Sequence, residues 1–370
     1  MICGVEFKNR LYPFYYVHDD VQESLDELEL LAKTLNYDVV DRVIQKLEKI
    51  DPSFYIRKGK LEKIKQMVYE FEIATVIFDD ELTPSQLKNI EKELKCEILD
   101  RTQLILNIFA KNAKSAEAKL QIELAQLEYL LPRLRGKGEQ LSRLGGGIGT
   151  RGPGETKLEA DRREIKRKIR ILKEKLKDIS QQREIRRSKR LKNRIPVVAI
   201  VGYTNAGKST LLKQLSKYEN IIVEDKLFST LSSLTKRVRL RSGKEILFTD
   251  TVGFIKKLPH TIIEAFKSTL EEVKYSDLIL IVVDAFDKYY EHKLSVVEKV
   301  LEEIGSTHQQ RILAFNKIEL CSKEWLENLK GRYYNSFFIS AKKKIGLENL
   351  LDAIEEELFK ENTYNEVIRN

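Results

Sequence analysis

The chain has 370 residues, enough for two or three domains with cores of their own, and its 42% hydrophobic and 33% charged residues fit a soluble globular protein. Its three cysteines (Cys3, Cys96, Cys321) lie far apart with no C-x-x-C, which speaks against a disulfide framework or a zinc site and for a reducing, cytoplasmic setting. The opening MICGVEFKNRLYPF lacks the apolar core of a signal peptide, and the longest apolar run, LILIVV at 278–283, is strand-sized, so no membrane span is expected.

Residues 1–100 read as a small α/β unit. VQESLDELELLAKTL (21–35) has the spacing of an amphipathic helix, YDVVDRVIQKL (37–47) is strand-like, and KLEKIKQMVYEF (60–71) is again helical. ATVIFDD (74–80) reads as a buried strand, TPSQLKNIEKEL (83–94) as a helix with Pro84 at its first position, and CEILD (96–100) as a further strand. Alternating strand and helix favours a parallel sheet. No catalytic grouping stands out here, and the acids and lysines fit solvated helix faces.

Apolar or small residues then recur in steps of three and four at Phe109, Ala113, Ala116, Leu120, Leu124, Leu127, Leu131 and Leu134. The pattern returns at Leu158, Ile165, Ile169, Leu172, Leu176 and Ile179. Two stripes joined by one loop predict a long antiparallel helical hairpin over 101–193, each arm reaching roughly 45 Å, with Pro132 ending or kinking the first. Its tip, 136–154, is glycine-rich. LGGGIGTRGPGETKLEADRR (144–163) even holds a G-x-G-x-x-G (Gly147, Gly149, Gly152), but no strand feeds it, so a dinucleotide site is not expected. Arg133, Arg135, Lys137, Arg143 and Arg151 flank the glycines, so the tip suits close backbone approach to a crowded surface; a loose connector is the plainer alternative. From Glu155 to Arg194, seventeen Lys and Arg face seven Asp and Glu, a net of +10 against +9 for the whole chain. An excess so concentrated points to a polyanion such as RNA, the alternative being a solvated helix face.

From Arg194 the pattern becomes buried strand followed by helix. IPVVAIVG (195–202), KEILFTD (244–250), DLILIVVDA (277–285), RILAFNK (311–317) and NSFFISA (335–341) are strands of a doubly wound, mostly parallel sheet. GYTNAGKST (202–210) leaves the first strand and opens a helix, fitting G-x-x-x-x-G-K-S/T with Gly202, Gly207, Lys208 and Ser209. Glycines there let consecutive N–H groups turn inward around phosphates, Lys208 reaches the β/γ oxygens, and the Ser209 hydroxyl suits Mg²⁺. Three further pieces follow, each at the C-terminal end of a strand. DTVG (250–253) offers Asp250 to Mg²⁺ through water and the Gly253 N–H to a γ-phosphate. NKIE (316–319) offers Asn316 and a carboxylate to a base edge, and SAK (340–342) offers the Ala341 N–H to a purine oxygen. The four in order imply a GTP-binding domain. Thr230 in LFSTLSSLT is the first candidate for a switch ligand to Mg²⁺, and Thr235 the second. Guanine offers a carboxylate two donors that adenine lacks. Here that carboxylate is Glu319 rather than the usual Asp, and the extra methylene leaves ATP use open.

The glycine-loop stretch, preceded by RTQLILNIFAKNAKSAEAKLQIELAQLEYLLPRL and followed by GYTNAGKST, LFSTL and DTVGFIKKLPH, closely resembles the HflX family of translation-factor-related GTPases over residues 60 to 355. The resemblance implies an N-terminal α/β domain (1–100), the helical hairpin (101–193) and a P-loop GTPase domain (194–370). It also implies binding to the large ribosomal subunit and its rRNA, hydrolysis of GTP to GDP and phosphate, and a part in splitting or rescuing stalled or stress-inactivated ribosomes. Carried over by motif, GTP contacts fall on Gly202, Tyr203, Thr204, Asn205, Ala206, Gly207, Lys208, Ser209 and Thr210. They fall also on Phe228, Ser229, Thr230, Leu231 and Ser232, on Asp250, Thr251, Val252 and Gly253, and on Asn316, Lys317, Ile318 and Glu319 with Ser340, Ala341 and Lys342. Mg²⁺ falls on Ser209 and Thr230, with Asp250 behind it. The chain departs from the family pattern at Lys157, usually Gln, at Ser232 and Ser233, usually Asp-Pro, and at Glu319.

Phosphoryl transfer needs positioning and charge neutralisation more than covalent chemistry, here from Lys208, Thr230 and Gly253. Ras-like enzymes orient water with a Gln after the D-x-x-G glycine; this chain has Phe254, so a low basal rate raised by a partner is expected. Asn205 is either a turn residue tolerant of left-handed geometry or, as in related GTPases lacking the Gln, part of a K⁺ site. A monomer is expected. The rival readings are an RNA-binding module with a structural nucleotide and a signalling GTPase with a protein effector.

Overall fold

The computed structural model describes residues 1–7, 20–134, 157–192, 195–216, 228 and 234–367. The chain divides into two compact units: Met1–Lys111 with Lys119–Lys177 and Pro259–Ala265, and Asn112–Ala118 with Asp178–Leu258 and Phe266–Asn370. Among the described residues no helix is long and apolar enough to cross a membrane.

The first unit is built on β1 (Ile2–Phe7), α1 (Val21–Thr34), β2 (Arg42–Leu47), α2 (Lys58–Glu70), β3 (Thr75–Phe78), α3 (Pro84–Leu94) and β4 (Glu97–Asp100). The strands form one sheet in the order β2-β1-β3-β4, and every pair is parallel. β1 was not anticipated, and it is an interior strand. Successive side chains of a strand alternate between faces. Cys3 and Val5 face the core shared with Ile64 of α2 and Ile90 of α3. Gly4 faces the other way, where its missing side chain admits Leu25 of α1; a Cβ would lie 3.0 Å from Leu25 Cδ2. α3 carries the capping box its sequence announces: the Thr83 hydroxyl accepts from the Gln86 N–H and the Gln86 side chain accepts from the Thr83 N–H.

The acids of this unit are not all on solvated faces. Where β3 and β4 end, Asp79 and Asp100 are buried, and Arg101 is 1% exposed. The Arg101 guanidinium pairs with Asp79 at 2.8 Å and with Glu27 of α1, and the Ser24 hydroxyl donates to Asp79 at 2.6 Å. Asp100 accepts from the Leu82 and Gln103 N–H groups and from the Tyr129 hydroxyl. Burial holds its carboxyl above the usual range despite these donors. Burial is sustained because each charge is paired and hydrogen-bonded.

The single stripe expected from Phe109 to Leu134 is two helices, α4 (Arg101–Asn112) and α5 (Ala116–Leu130). Ser115 interrupts it by accepting from the Ala118 N–H, an N-cap that starts a new helix. Pro132 lies in a 3₁₀ turn, Leu131–Leu134, where the first arm ends. Arg133, expected beside the hairpin tip, is instead buried: it pairs with Glu81 and Asp100 at 3.0 and 3.5 Å and its guanidinium lies 3.5 Å from the centre of the Tyr129 ring. The second arm, α6 (Lys157–Lys192), buries Ile165 and Leu172 on the expected seam and exposes Arg162, Arg163, Lys166 and Arg167. Lys173 of α6 pairs with Glu128 of α5 at 2.7 Å. The glycine-rich tip lies outside the described residues.

The second unit carries β5 (Val197–Gly202), α7 (Lys208–Ser216), β6 (Leu234–Arg239) and β7 (Glu245–Asp250), which are followed along the chain by α8 (His260–Ala265) of the first unit. It continues with α9 (Lys267–Lys274), β8 (Leu278–Asp284), α10 (Tyr290–Glu303), β9 (Gln310–Asn316), α11 (Lys323–Arg332), β10 (Phe337–Phe338) and α12 (Leu347–Val367). The sheet order is β10-β9-β8-β5-β7-β6, parallel except for the edge pair β6–β7. Val198 and Ile200 pack with Leu211 of α7 and Ile354 of α12 on one face, and α9 and α10 cover β5 from the other. The connections leave β5 toward β7 on one side and toward β8 on the other, so the end of β5 is the crevice where open α/β sheets bind ligands.

Candidate functional site

The loop Tyr203–Gly207 joins β5 to α7 at that crevice. Gly207 adopts φ +92°, which side chains resist, and a Cβ there would lie 2.2 Å from Asn316 Nδ2. Asn205 is exposed at φ +62°, left-handed as the turn reading requires. Thr204 and Ala206 are buried, and Thr210 stands half-buried in the first turn of α7. Lys208, 6% exposed, donates to the carbonyls of Gly202 and Tyr203 at 3.1 and 2.8 Å. Burial pushes its pKa down to about 8, against the pull of nearby Asp250.

Asp250 ends β7, and the Ser209 hydroxyl donates to its Oδ2 at 2.7 Å. A hydroxyl and a carboxylate brought together at a helix start are hard oxygen donors, which fit Mg²⁺. Thr251 donates to the Ile200 carbonyl and, with Val252 and Gly253, is buried. Beyond them the chain returns to the phosphate loop: the Thr204 N–H donates to the Phe254 carbonyl at 2.8 Å and the Phe254 N–H to the Gly202 carbonyl at 3.1 Å. Phe254 is 1% exposed.

Asn316 ends β9. Its amide donates to the Ala206 carbonyl and accepts from the Ala341 N–H, both at 2.9 Å, so one side chain ties the phosphate loop to the SAK segment. The Ala341 N–H expected to meet a purine oxygen is directed to Asn316 in this structure, a link the motif alone did not reveal. Lys317 adopts φ +66° and pairs with Asp284 at 2.7 Å. Ile318 and Glu319 form a short 3₁₀ turn. Glu319 Oε2 is buried without a hydrogen-bond partner among the described residues, an acceptor that a base edge would satisfy. Ser340 is buried and Lys342 exposed.

In the first switch, Phe228 is buried at φ +57°. Ser229, Thr230, Leu231 and Ser232 lie outside the described residues. Thr235, the second candidate switch ligand, sits on β6 with its hydroxyl 3.0 Å from that of Thr249.

The chain is similar to known GTPases along most of its length. Residues 22–110 match the family described as GTP-binding GTPase N-terminal, 112–190 the GTP-binding GTPase middle region, and 197–317 the 50S ribosome-binding GTPase. The chain is 54% identical over 92% of its length to GTPase HflX of Caldanaerobacter subterraneus subsp. tengcongensis, covering 78% of that protein. It is 49% identical to GTPase HflX of Lacrimispora saccharolytica (95% of this chain, 82% of that one) and 37% identical to GTPase HflX of Escherichia coli (94% and 82%). With a phosphate loop at the end of β5 and this similarity along nearly its whole length, the chain belongs to the HflX family of GTPases, whose reaction is the hydrolysis of GTP.

Proposed function

We propose that this GTPase turns over slowly alone and is accelerated by the large ribosomal subunit, in ribosome splitting, rescue or a stress response in the cytoplasm. The observation that carries the reading is Phe254: it stands directly after Gly253, is buried, and has no group that can orient a water. Hydrolysis then depends on a partner that orders the site. The basic side chains exposed on α6 favour an RNA-rich partner. In this reading residues 1–100, 101–193 and 194–370 act as α/β module, ribosome-facing hairpin and motor, in a monomer.

The nucleotide phosphates lie along 202–210, with Lys208 neutralising the β/γ oxygens and the Gly253 N–H meeting the γ-phosphate. Residues 228–232, 250–253, 316–319 and 340–342 complete the contacts, and the Glu319 carboxylate holds the guanine edge. Ser209, Asp250 and Thr230 would hold Mg²⁺, which supplies charge neutralisation across the phosphates when bound. Asn205 would help hold a K⁺ ion beside them.

GTP turnover by the purified protein in KCl, with and without large ribosomal subunits, tests this. Stimulation of tenfold or more, about 1.4 kcal/mol off the barrier, is expected. Tight GTP binding without stimulation by subunits would overturn the ribosome reading in favour of a protein effector or a structural nucleotide.

A further inference from the structure

Phe228 is a backbone outlier of the second unit. It is 3% exposed and adopts φ +57°. A left-handed backbone is costly for an aromatic residue and persists only where the surroundings over-determine it. Part of that determination comes from far along the chain. The Asn112 side-chain amide donates to the Phe228 carbonyl at 3.1 Å, across 116 positions of sequence. Asn112 is the last residue of α4 and opens the segment Asn112–Ala118, which belongs to the second unit, as Phe228 does. The segment is itself held, since the Ser115 hydroxyl accepts from the Ala118 N–H at 3.1 Å. Asn112 lies in none of the nucleotide motifs.

Phe228 stands at the entry of the first switch, and the exit is fixed as well. β6 begins at Leu234, whose register partner on β7 is Asp250, the carboxylate that accepts from Ser209. These two ends bracket residues 229–233: the carbonyl that Asn112 holds comes two positions before Thr230, and the partner of Asp250 comes four positions after it. An ion site that draws one ligand from so short a span depends on where the ends are held. Every further arrangement the ends allow is entropy to be lost when the ion binds.

We propose that Asn112 is a positioning residue for GTP hydrolysis: by holding the Phe228 carbonyl it fixes the entry of the first switch and so sets how readily Thr230 joins Ser209 and Asp250 around Mg²⁺. The role rests on the reading of Thr230 as a ligand of that ion. Asn112 acts through the backbone of Phe228 and not on the phosphates, which makes the turn between α4 and α5 part of the hydrolytic apparatus.

The test is GTP turnover by the full chain against Mg²⁺ concentration, for wild type, Asn112→Ala and Asn112→Asp, alongside GDP affinity measured in excess chelator. Both variants remove the donor, and Asn112→Asp does so at nearly unchanged size. Losing one partly buried hydrogen bond should raise the Mg²⁺ concentration for half-maximal turnover about two- to tenfold. GDP affinity without Mg²⁺ should stay at the wild-type value, since the phosphate loop and the 316–319 and 340–342 segments are untouched. Lys114→Ala, at an exposed position of the same segment, should move neither readout. A wild-type or lowered Mg²⁺ requirement in the two Asn112 variants overturns the role. A loss of chelated GDP affinity that matches the change in turnover overturns it too, and marks Asn112 as a structural residue of the whole unit. Wild-type turnover indifferent to Mg²⁺ refutes the metal reading itself, and the role of Asn112 with it.

Discussion

Asn316 is the side chain whose removal says most about how the site is assembled. It is 2% exposed, and its two hydrogen bonds of 2.9 Å satisfy a carbonyl at Ala206 and an N–H at Ala341, themselves in buried residues. Asn316→Ala leaves both backbone groups unpaired in a space too tight for easy rehydration. At about 1–3 kcal/mol for each buried group left unsatisfied, the nucleotide-free protein should lose about 2–6 kcal/mol. With a urea slope of about 2–3 kcal/mol/M, the unfolding midpoint falls by about 0.7–3 M. The chain has a single tryptophan, Trp325, and its indole N–H donates to the Ala285 carbonyl at 2.8 Å within the same unit. Trp325 fluorescence therefore reports the unfolding of the nucleotide-binding unit alone. If Asn316→Ala kept the midpoint within experimental scatter and lost only GDP affinity, Asn316 would be reading the base and not clamping the loop.

Burial should make nucleotide binding pH-dependent through Lys208. Its folded pKa of about 8 lies below the ordinary 10.5, so between these values the unfolded chain holds a proton that the empty native site has released, and stability of the nucleotide-free protein rises with pH across that window. Bound phosphate favours the ammonium, so GDP binding at pH 9 should take up about one proton, read by calorimetry in buffers of different ionisation enthalpy; no uptake would mean that Lys208 does not meet the phosphates. In the first unit, Arg101→Met strands Asp79 and Glu27 and should cost about 3–5 kcal/mol in chemical denaturation. Equal GTP turnover in KCl and NaCl would remove the K⁺ reading of Asn205 and leave it a turn residue; faster turnover in KCl is expected. Glu319→Asp should tighten GDP without tightening ADP, and parallel gains for both would show that this carboxylate does not read the base.

The geometry of the candidate site was largely legible because a phosphate loop forces residue types at fixed spacing: Gly207 at a positive φ against Asn316, Lys208 and Ser209 one after the other, Asp250 at a strand end. What could not be read were contacts that any polar or aromatic residue might make, such as the Asn316 clip and the Asn112 bond to the Phe228 carbonyl, since these exist only once distant segments meet. The same holds in the first unit. Arg133 has the look of a solvent-facing base in a basic stretch, yet a tertiary partner, Asp100, decides its place. β1 escaped because a six-residue strand containing a glycine carries little pattern of its own; Gly4 makes sense only beside Leu25. β6 is missing from the strands the sequence suggests, since on an edge strand charged Arg237 and Arg239 can flank the buried Val238 and leave little apolar pattern.

The interior place of β1 has a consequence for how the protein is made. Its neighbours are β2 and β3, and β3 follows β1 by nearly seventy residues, which at cellular elongation speeds is a delay of roughly 3–14 s. Throughout that interval the mostly apolar segment Ile2–Phe7 keeps one edge unpaired, since a parallel partner cannot be supplied by a tight turn. The nascent chain is thus most exposed to mispairing and to chaperone capture before its first unit is even half complete, and substitutions that raise the β-propensity of Ile2–Phe7 should lower the yield of folded protein without lowering its final stability.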